Sequence, residues 1–168
     1  GIALALLNAG LQTTLVEPRE EAREKARITI AKAIERDVAK GRVAGDAAQQ
    51  RLDLLTLASS LKEACNADLF IEAVFEDMAV KEQVFAELDR LSPPDAILAS
   101  NTSTLDLDEI AKFTSRPQNV VGLHFFSPAN IMRLLEVVRG AGTSDQTLLR
   151  AMDFARAIGK TGVVAGVC

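Results

Sequence analysis

Tyrosine and tryptophan are absent from the 168 residues, and seven phenylalanines supply every aromatic ring of these three types. So few flat rings argue against carbohydrate-stacking surfaces and single-stranded nucleic-acid platforms, which need exposed aromatics. Positive charge is also in short supply: 19 Lys and Arg against 23 Asp and Glu leave a net charge of −4. That balance excludes a basic footprint for nucleic acid and a polybasic face for anionic membranes. The two cysteines, Cys65 and Cys168, stand far apart and lack metal-ligand spacing, so neither a disulfide framework nor a metal site is implied. They read as reduced thiols of a cytoplasmic protein. The apolar opening, residues 1–9, has no basic flank and is far too short to span a bilayer. It reads as neither signal peptide nor anchor. No internal repeat or low-complexity linker interrupts the chain. With 48% hydrophobic and 25% charged residues, the composition suits one globular domain with a real core.

Helical and strand periods alternate, which predicts an α/β fold with a doubly wound, mainly parallel sheet. Residues 2–9 read as the end of a buried helix, stopped by Gly10. Residues 13–17 form a β-branched strand. Pro18 then opens a long amphipathic helix to about Lys40, with Ala22, Ala26, Ile30, Ala33 and Ile34 on one stripe. Gly41 and Gly45 bracket a loop, Asp46 caps a short helix through Leu52, and residues 55–58 are a strand. Ser60-x-x-Glu63 is a capping-box pattern for another short helix. Further strands fall at 68–74, 96–99, 120–126, 134–138 and 163–167, and helices at 77–91, 106–113 and 144–158. The 68–74 run is mostly apolar, as in a strand buried on both faces. A doubly wound domain normally opens with strand, glycine turn and helix, whereas this chain opens inside a helix, so a first strand is expected to be missing.

Four places suit chemistry. Glu17 ends the expected strand at 13–17, where an acidic side chain accepts hydrogen bonds from an adenosine ribose and disfavours a 2′-phosphate. An ordinary helix start explains it equally well, and Arg19 nearby suits a 2′-phosphate instead. The run from Glu72 through Glu76 and Asp77 to Lys81 places acids at a helix N-terminus. Capping by Glu76 or Asp77, with an Asp77–Lys81 pair four residues apart, accounts for that run by itself. Ser100-Asn101-Thr102-Ser103 follows a strand, the end at which open α/β sheets hold ligands, although capped turns use the same residues. His124, the lone histidine, is the strongest signal. Glu136 lies 12 residues on, inside the apolar run Leu134–Val138, and a carboxylate buried there needs a partner. His124 is the nearest available, and a carboxylate that fixes an imidazole tautomer makes a general base.

The strings EAVFEDMAVK, ASNTSTL, GLHFFSPANIMRLLEVV and FARAIGKTGVV together resemble the 3-hydroxyacyl-CoA dehydrogenases. The Phe-Phe-Ser-Pro version is most similar to the dehydrogenase part of bifunctional enoyl-CoA hydratase/dehydrogenase proteins. The resemblance covers essentially the whole chain and implies a Rossmann-like NAD-binding domain. It implies that His124 takes the 3-hydroxyl proton while hydride leaves C3 for the nicotinamide, and that Glu136 orients His124 and stabilises the imidazolium. It further implies that Ser103 hydrogen-bonds the substrate oxygen beside the nicotinamide, and that Glu17 meets the adenosine ribose. Ala73, Glu76 and Lys81 match positions around bound NAD. Ser127 stands where many relatives carry Asn near the nicotinamide. Lys40 matches a basic position that meets the CoA moiety, while a partner serine is replaced by Ala33.

Two departures matter. The family's Gly-x-Gly-x-x-Gly with its leading strand, and its helical second domain, are not found in residues 1–168. The expectation is therefore a truncated NAD-binding domain, poorly soluble and without useful turnover alone. Its parent is expected to be a homodimer or part of a multienzyme complex. The implied reaction is NAD-dependent oxidation of an L-3-hydroxyacyl-CoA in fatty-acid β-oxidation. Two alternatives stand beside it: a 3-hydroxybutyryl-CoA dehydrogenase of butanoate metabolism, sometimes NADP-linked, and a non-catalytic nucleotide-binding relative.

Overall fold

Apolar stripes and β-branched runs fall where the secondary structure needs them in the computed structural model, which describes residues 1–167. Cys168, and with it the reading of its thiol, lies outside the described residues. The chain divides into two compact units, one of residues 1–64 and one from residue 65 onward.

The first unit runs α1 (Ile2–Asn8), β1 (Thr13–Val16), α2 (Glu20–Ala39), α3 (Gly45–Asp53), β2 (Leu55–Ala58) and a 3₁₀ turn (Leu61–Ala64). Strands β1 and β2 pair in parallel, from Thr13 opposite Leu55 to Val16 opposite Ala58. A parallel pair needs a crossover, and α2 with α3 supplies it. The stripe read from the sequence faces inward, since Ile30 and Ile34 of α2 bury against Leu4, Leu7 and Ala48. Each such large aliphatic side chain contributes roughly 1.5–3 kcal/mol by leaving water. Gly10 ends α1 with φ +77°, a conformation that costs residues with a Cβ.

Two local expectations change in this unit. Asp46 does not cap α3; the N-cap is Ala44, and Asp46 sits inside the first turn, accepting from the Ala47 N–H at 2.9 Å. The Ser60–Glu63 box opens a 3₁₀ turn rather than an α-helix. The Glu63 carboxylate accepts from the Ser59 hydroxyl at 2.6 Å, the Ser60 hydroxyl at 3.0 Å and the Ser59 N–H at 3.2 Å.

The second unit carries a five-stranded sheet in the order β3-β4-β5-β6-β7. Its strands are β3 (Leu69–Glu72), β4 (Ile97–Ser100), β5 (Val120–Phe125), β6 (Leu134–Arg139) and β7 (Thr161–Gly166). Between them lie α4 (Met78–Leu91), α5 (Leu107–Ala111), a 3₁₀ turn (Pro117–Asn119) and α6 (Asp145–Ala157). Pairing is parallel except for β6 against β5, so the mainly parallel expectation holds. All four residues of β4 are buried, as are Val121, Leu123, Leu135 and Val137 of the next two strands. Phe85 and Leu88 of α4 and Ala151 and Ala155 of α6 are also buried.

Helix starts follow the side chains available. Asp77 caps α4 by accepting from the Ala79 and Val80 N–H groups at 2.9 and 3.1 Å. Ser144 caps α6 through the Thr147 N–H. Strand β3 stops at Glu72, earlier than the apolar run suggests. There the Glu72 carboxylate turns back to accept the Val74 N–H at 2.8 Å, taking that group out of the ladder.

Candidate active site

Because β3, β4 and β5 are parallel, the chain leaves all three at one edge of the sheet. The register places Glu72 beside Ser100 and Ser100 beside Gly122. The segments after them therefore gather at the C-terminal strand edge: Ala73 to Glu76, Asn101 to Thr104, and Phe126 to Ser127. This is where open α/β sheets bind ligands.

His124 is on β5 directly opposite Glu136 on the antiparallel strand β6. Its Nδ1 lies 2.8 Å from Glu136 Oε2. A carboxylate only accepts, so Nδ1 carries the N–H and Nε2 of the neutral ring presents its lone pair. The Phe126 ring packs against the imidazole, with centroids 4.6 Å apart. The pair predicted from the sequence exists, but burial of the carboxylate is not what creates it. Glu136 is not buried: its side chain is 37% exposed against 21% for His124. Leu135 and Val137 on either side are fully buried, and alternation along the strand turns Glu136 to the more open face that His124 occupies.

A second cluster lies after β3. Glu72 and Lys81 are both buried, with Lys81 Nζ 2.9 and 2.8 Å from the two Glu72 oxygens. Glu76 Oε2 is 3.2 Å from the same nitrogen. Lys81 therefore does not make the expected surface pair with Asp77; it points inward, and Asp77 caps the helix. The other oxygen of Glu76 accepts from the Thr102 hydroxyl, the Ser103 N–H at 3.2 Å and the Thr104 hydroxyl at 3.3 Å. Burial pushes the Glu76 carboxyl up, but Thr102, Lys81 and the Ser103 N–H outweigh it and hold the group at about 2.

Ser103 is exposed in the Asn101–Thr104 turn, joined to Glu76 through its backbone. Ala73 and Ser127 are also exposed, Ser127 just before the cis bond to Pro128. In the first unit, Glu17 follows β1. Its carboxylate accepts from the Arg19 side chain at 3.1 Å and the Arg19 N–H at 3.0 Å, which together hold it below the usual carboxylate range. Lys40 is exposed at the C-cap of α2, and Ala33 of α2 packs half-buried against the unit's core.

Two residues that the sequence reading named only within longer runs have roles it did not foresee. Glu72 is the anchor for Lys81 and also accepts the Ser100 hydroxyl at 2.7 Å. Asn101 joins the ends of β4 and β5, since its Oδ1 accepts the Phe125 N–H at 2.9 Å. The argument used for Glu136, a carboxylate in an apolar run, would have found Glu72.

The model of the 3-hydroxyacyl-CoA dehydrogenase NAD-binding domain matches residues 1–168. The chain belongs to that family. It is 43% identical to the peroxisomal bifunctional enzyme of Cavia porcellus, across the whole chain and 23% of that protein. It is 41% identical to a probable 3-hydroxybutyryl-CoA dehydrogenase of Bacillus subtilis, across 97% of the chain and 57% of that protein. The chain thus spans between just under a quarter and just over half the length of these relatives. Among solved structures, FadB2 of M. tuberculosis matches with a TM-score of 0.96 at 40% identity, covering 99% of this chain and 59% of that one.

Each unit by itself offers a group suited to part of an NAD dinucleotide. Ribose hydroxyls are donors, and Glu17 in the first unit and Glu76 in the second are each a carboxylate held in its ionised form with part of the side chain open to solvent.

Proposed function

We propose that this chain supplies the cofactor-binding and proton-transfer residues of an NAD-dependent L-3-hydroxyacyl-CoA dehydrogenase. The observation that carries the reading is the His124–Glu136 pair at 2.8 Å, set at the ligand-binding edge of a parallel sheet. Glu136 holds the imidazole by Nδ1, leaving Nε2 as the base that takes the 3-hydroxyl proton. Bound NAD would supply the acceptor for the hydride that leaves C3 as the C3–O bond becomes a carbonyl. In the reverse direction the same Nε2 returns the proton to the carbonyl oxygen. Glu136 faces the positive charge that His124 gains, and Phe126 packs the ring in place.

The other roles follow the same reading. Ser103 would donate its hydroxyl to the substrate oxygen, and Ala73, Ser103 and Ser127 are the residues that would hold the nicotinamide. Glu76 accepts from a ribose hydroxyl, and Glu17 from the adenosine ribose. Lys40 offers its ammonium to the CoA phosphates. The substrate is an acyl-CoA, as the names of the relatives suggest, and the pathway we propose is fatty-acid β-oxidation. The parent acts as a homodimer or within a multienzyme complex in the cytoplasm, where a free thiol such as Cys65 persists.

The test is NADH oxidation driven by acetoacetyl-CoA in the full-length protein. Turnover supports the dehydrogenase. A folded protein that binds NADH and never turns over is instead a nucleotide-binding relative without catalysis.

A further inference from the structure

Strand β5 outruns its parallel neighbour. Pairing with β4 ends at Ser100 opposite Gly122, whereas pairing with β6 continues through His124 to Phe125 opposite Leu135. The backbone that carries His124 therefore keeps a ladder partner on the β6 side and has lost one on the β4 side. Phe125 is only 5% exposed, and a buried N–H left unpaired there would cost as much as a lost hydrogen bond. The Asn101 side chain meets that need, since its Oδ1 accepts the Phe125 N–H at 2.9 Å. A carboxamide thus supplies the rung that the β4 backbone does not reach.

Asn101 is also held from behind. Its own N–H donates to the Glu72 carbonyl at 2.8 Å, next to the last β3–β4 pair, Glu72 and Ser100. By its backbone the residue belongs to β3 and β4, and by its side chain to β5. Ser103 follows closely, in a turn whose other fastenings run to Glu76 or stay local. Among the described residues, no other hydrogen bond outside the sheet ladder joins that turn to β5. Asn101 links the strand that carries the base to the turn that carries the hydroxyl.

We propose that Asn101 is a positioning residue: its carboxamide fixes the Ser103 turn against the His124 strand, so that the Ser103 hydroxyl and His124 Nε2 converge on one substrate oxygen. This rests on the dehydrogenase reading above and on the roles it gives to Ser103 and His124. Taking a proton from an oxygen while donating a hydrogen bond to it needs both groups within about 3 Å of that oxygen. A misplacement of about 1 Å costs on the order of a hundredfold in rate. Because Asn101 acts through two backbones, its loss falls on the chemical step rather than on cofactor binding.

The test is single-turnover oxidation of NADH by acetoacetyl-CoA in the full-length protein. The variants are Asn101→Ala, Asn101→Asp, Ser103→Ala and the Asn101→Ala/Ser103→Ala double variant. Asn101→Ala should transfer hydride roughly tenfold to a hundredfold more slowly. Its NADH affinity should stay within about threefold of wild type. Asn101→Asp keeps an accepting oxygen and should recover most of the rate. In the Ser103→Ala background, Asn101→Ala should cost less than about threefold, because no hydroxyl is left to place. A merely structural asparagine would act alike in both backgrounds. Amide exchange in the wild-type protein is free of folding defects, and there the Phe125 N–H should exchange as slowly as the amides of β4. A wild-type rate in Asn101→Ala, no recovery in Asn101→Asp, losses that multiply in full in the double variant, or a Phe125 amide as fast as an exposed loop would overturn the proposal alone. Wild-type protein that never oxidises NADH, or Ser103→Ala at the wild-type rate, would overturn the reading of the site with it.

Discussion

Gly122 on β5 lies so close to Val138 on β6 that a Cβ on the glycine would meet the valine Cβ at 2.6 Å. Two residues further along β5, His124 faces Glu136. The close approach and the ion pair belong to one antiparallel ladder. Gly122→Ala should force the strands apart and destabilise the protein by about 1–3 kcal/mol. Its activity should fall further than its melting temperature implies, because the His124–Glu136 distance is set by the same ladder. Thermal melting and turnover measured side by side check this. A variant with normal turnover would show that the ladder has slack.

Glu136→Gln keeps the size of the side chain and removes the charge that selects the Nδ1–H tautomer. Turnover should fall by roughly 10²–10⁴, the range general acid–base catalysis supplies. NADH affinity should stay close to wild type, since Glu136 faces the imidazole. Fluorescence titration with NADH, run beside turnover, separates the two effects.

Asp89 and Arg116 tie the end of α4 to the segment after α5. Asp89 accepts from the Thr114 hydroxyl, the Ser115 N–H and hydroxyl, and Arg116 Nε, while Arg116 also reaches the Pro93 carbonyl at 2.6 Å. Burial pushes the Asp89 carboxyl up, but these donors win and hold it at about 2, below its ordinary 3.8. A group depressed on folding stabilises above its unfolded value and loses that contribution as pH falls through the folded one. Asp89→Asn should therefore cost about 2 kcal/mol near neutrality. The difference from wild type should shrink between about pH 4 and pH 2. Urea melts at several pH values read it directly.

Much of this was legible in the residues, for identifiable reasons. Helix α2 declared itself through Ile30 and Ile34, and α6 through Ser144, because stripes and caps are local features. The His124–Glu136 pair followed from two adjacent apolar runs, each with one titratable group. Other features depended on three-dimensional pairing. Glu136 looked buried because apolar neighbours flank it, yet the two-residue period of a strand puts those neighbours on the opposite face. Lys81 looked like the partner of Asp77 because four-residue spacing is a helix-surface rule. Its real partner, Glu72, sits nine residues earlier on a strand, reachable only once β3 and α4 pack together.

Lys160, just before β7, donates to the Ala129 carbonyl at 2.7 Å and the Met132 carbonyl at 2.6 Å, with its ammonium 5.5 Å from the Phe125 ring centroid. It clamps the loop that follows His124 and carries Ser127. Lys160→Met should free both carbonyls at a cost of roughly 1–3 kcal/mol. Amide hydrogens of residues 126–133 should exchange faster while those of β4 stay protected. Equal protection across the loop would mean that the clamp is dispensable.

The central claim is that His124 moves the proton, and single-turnover oxidation of NADH by acetoacetyl-CoA in the full-length protein, wild type against His124→Gln, tests it most directly. The rate in the variant should be lower by roughly 10²–10⁴ with NADH binding retained. A variant that transfers hydride at the wild-type rate would contradict it.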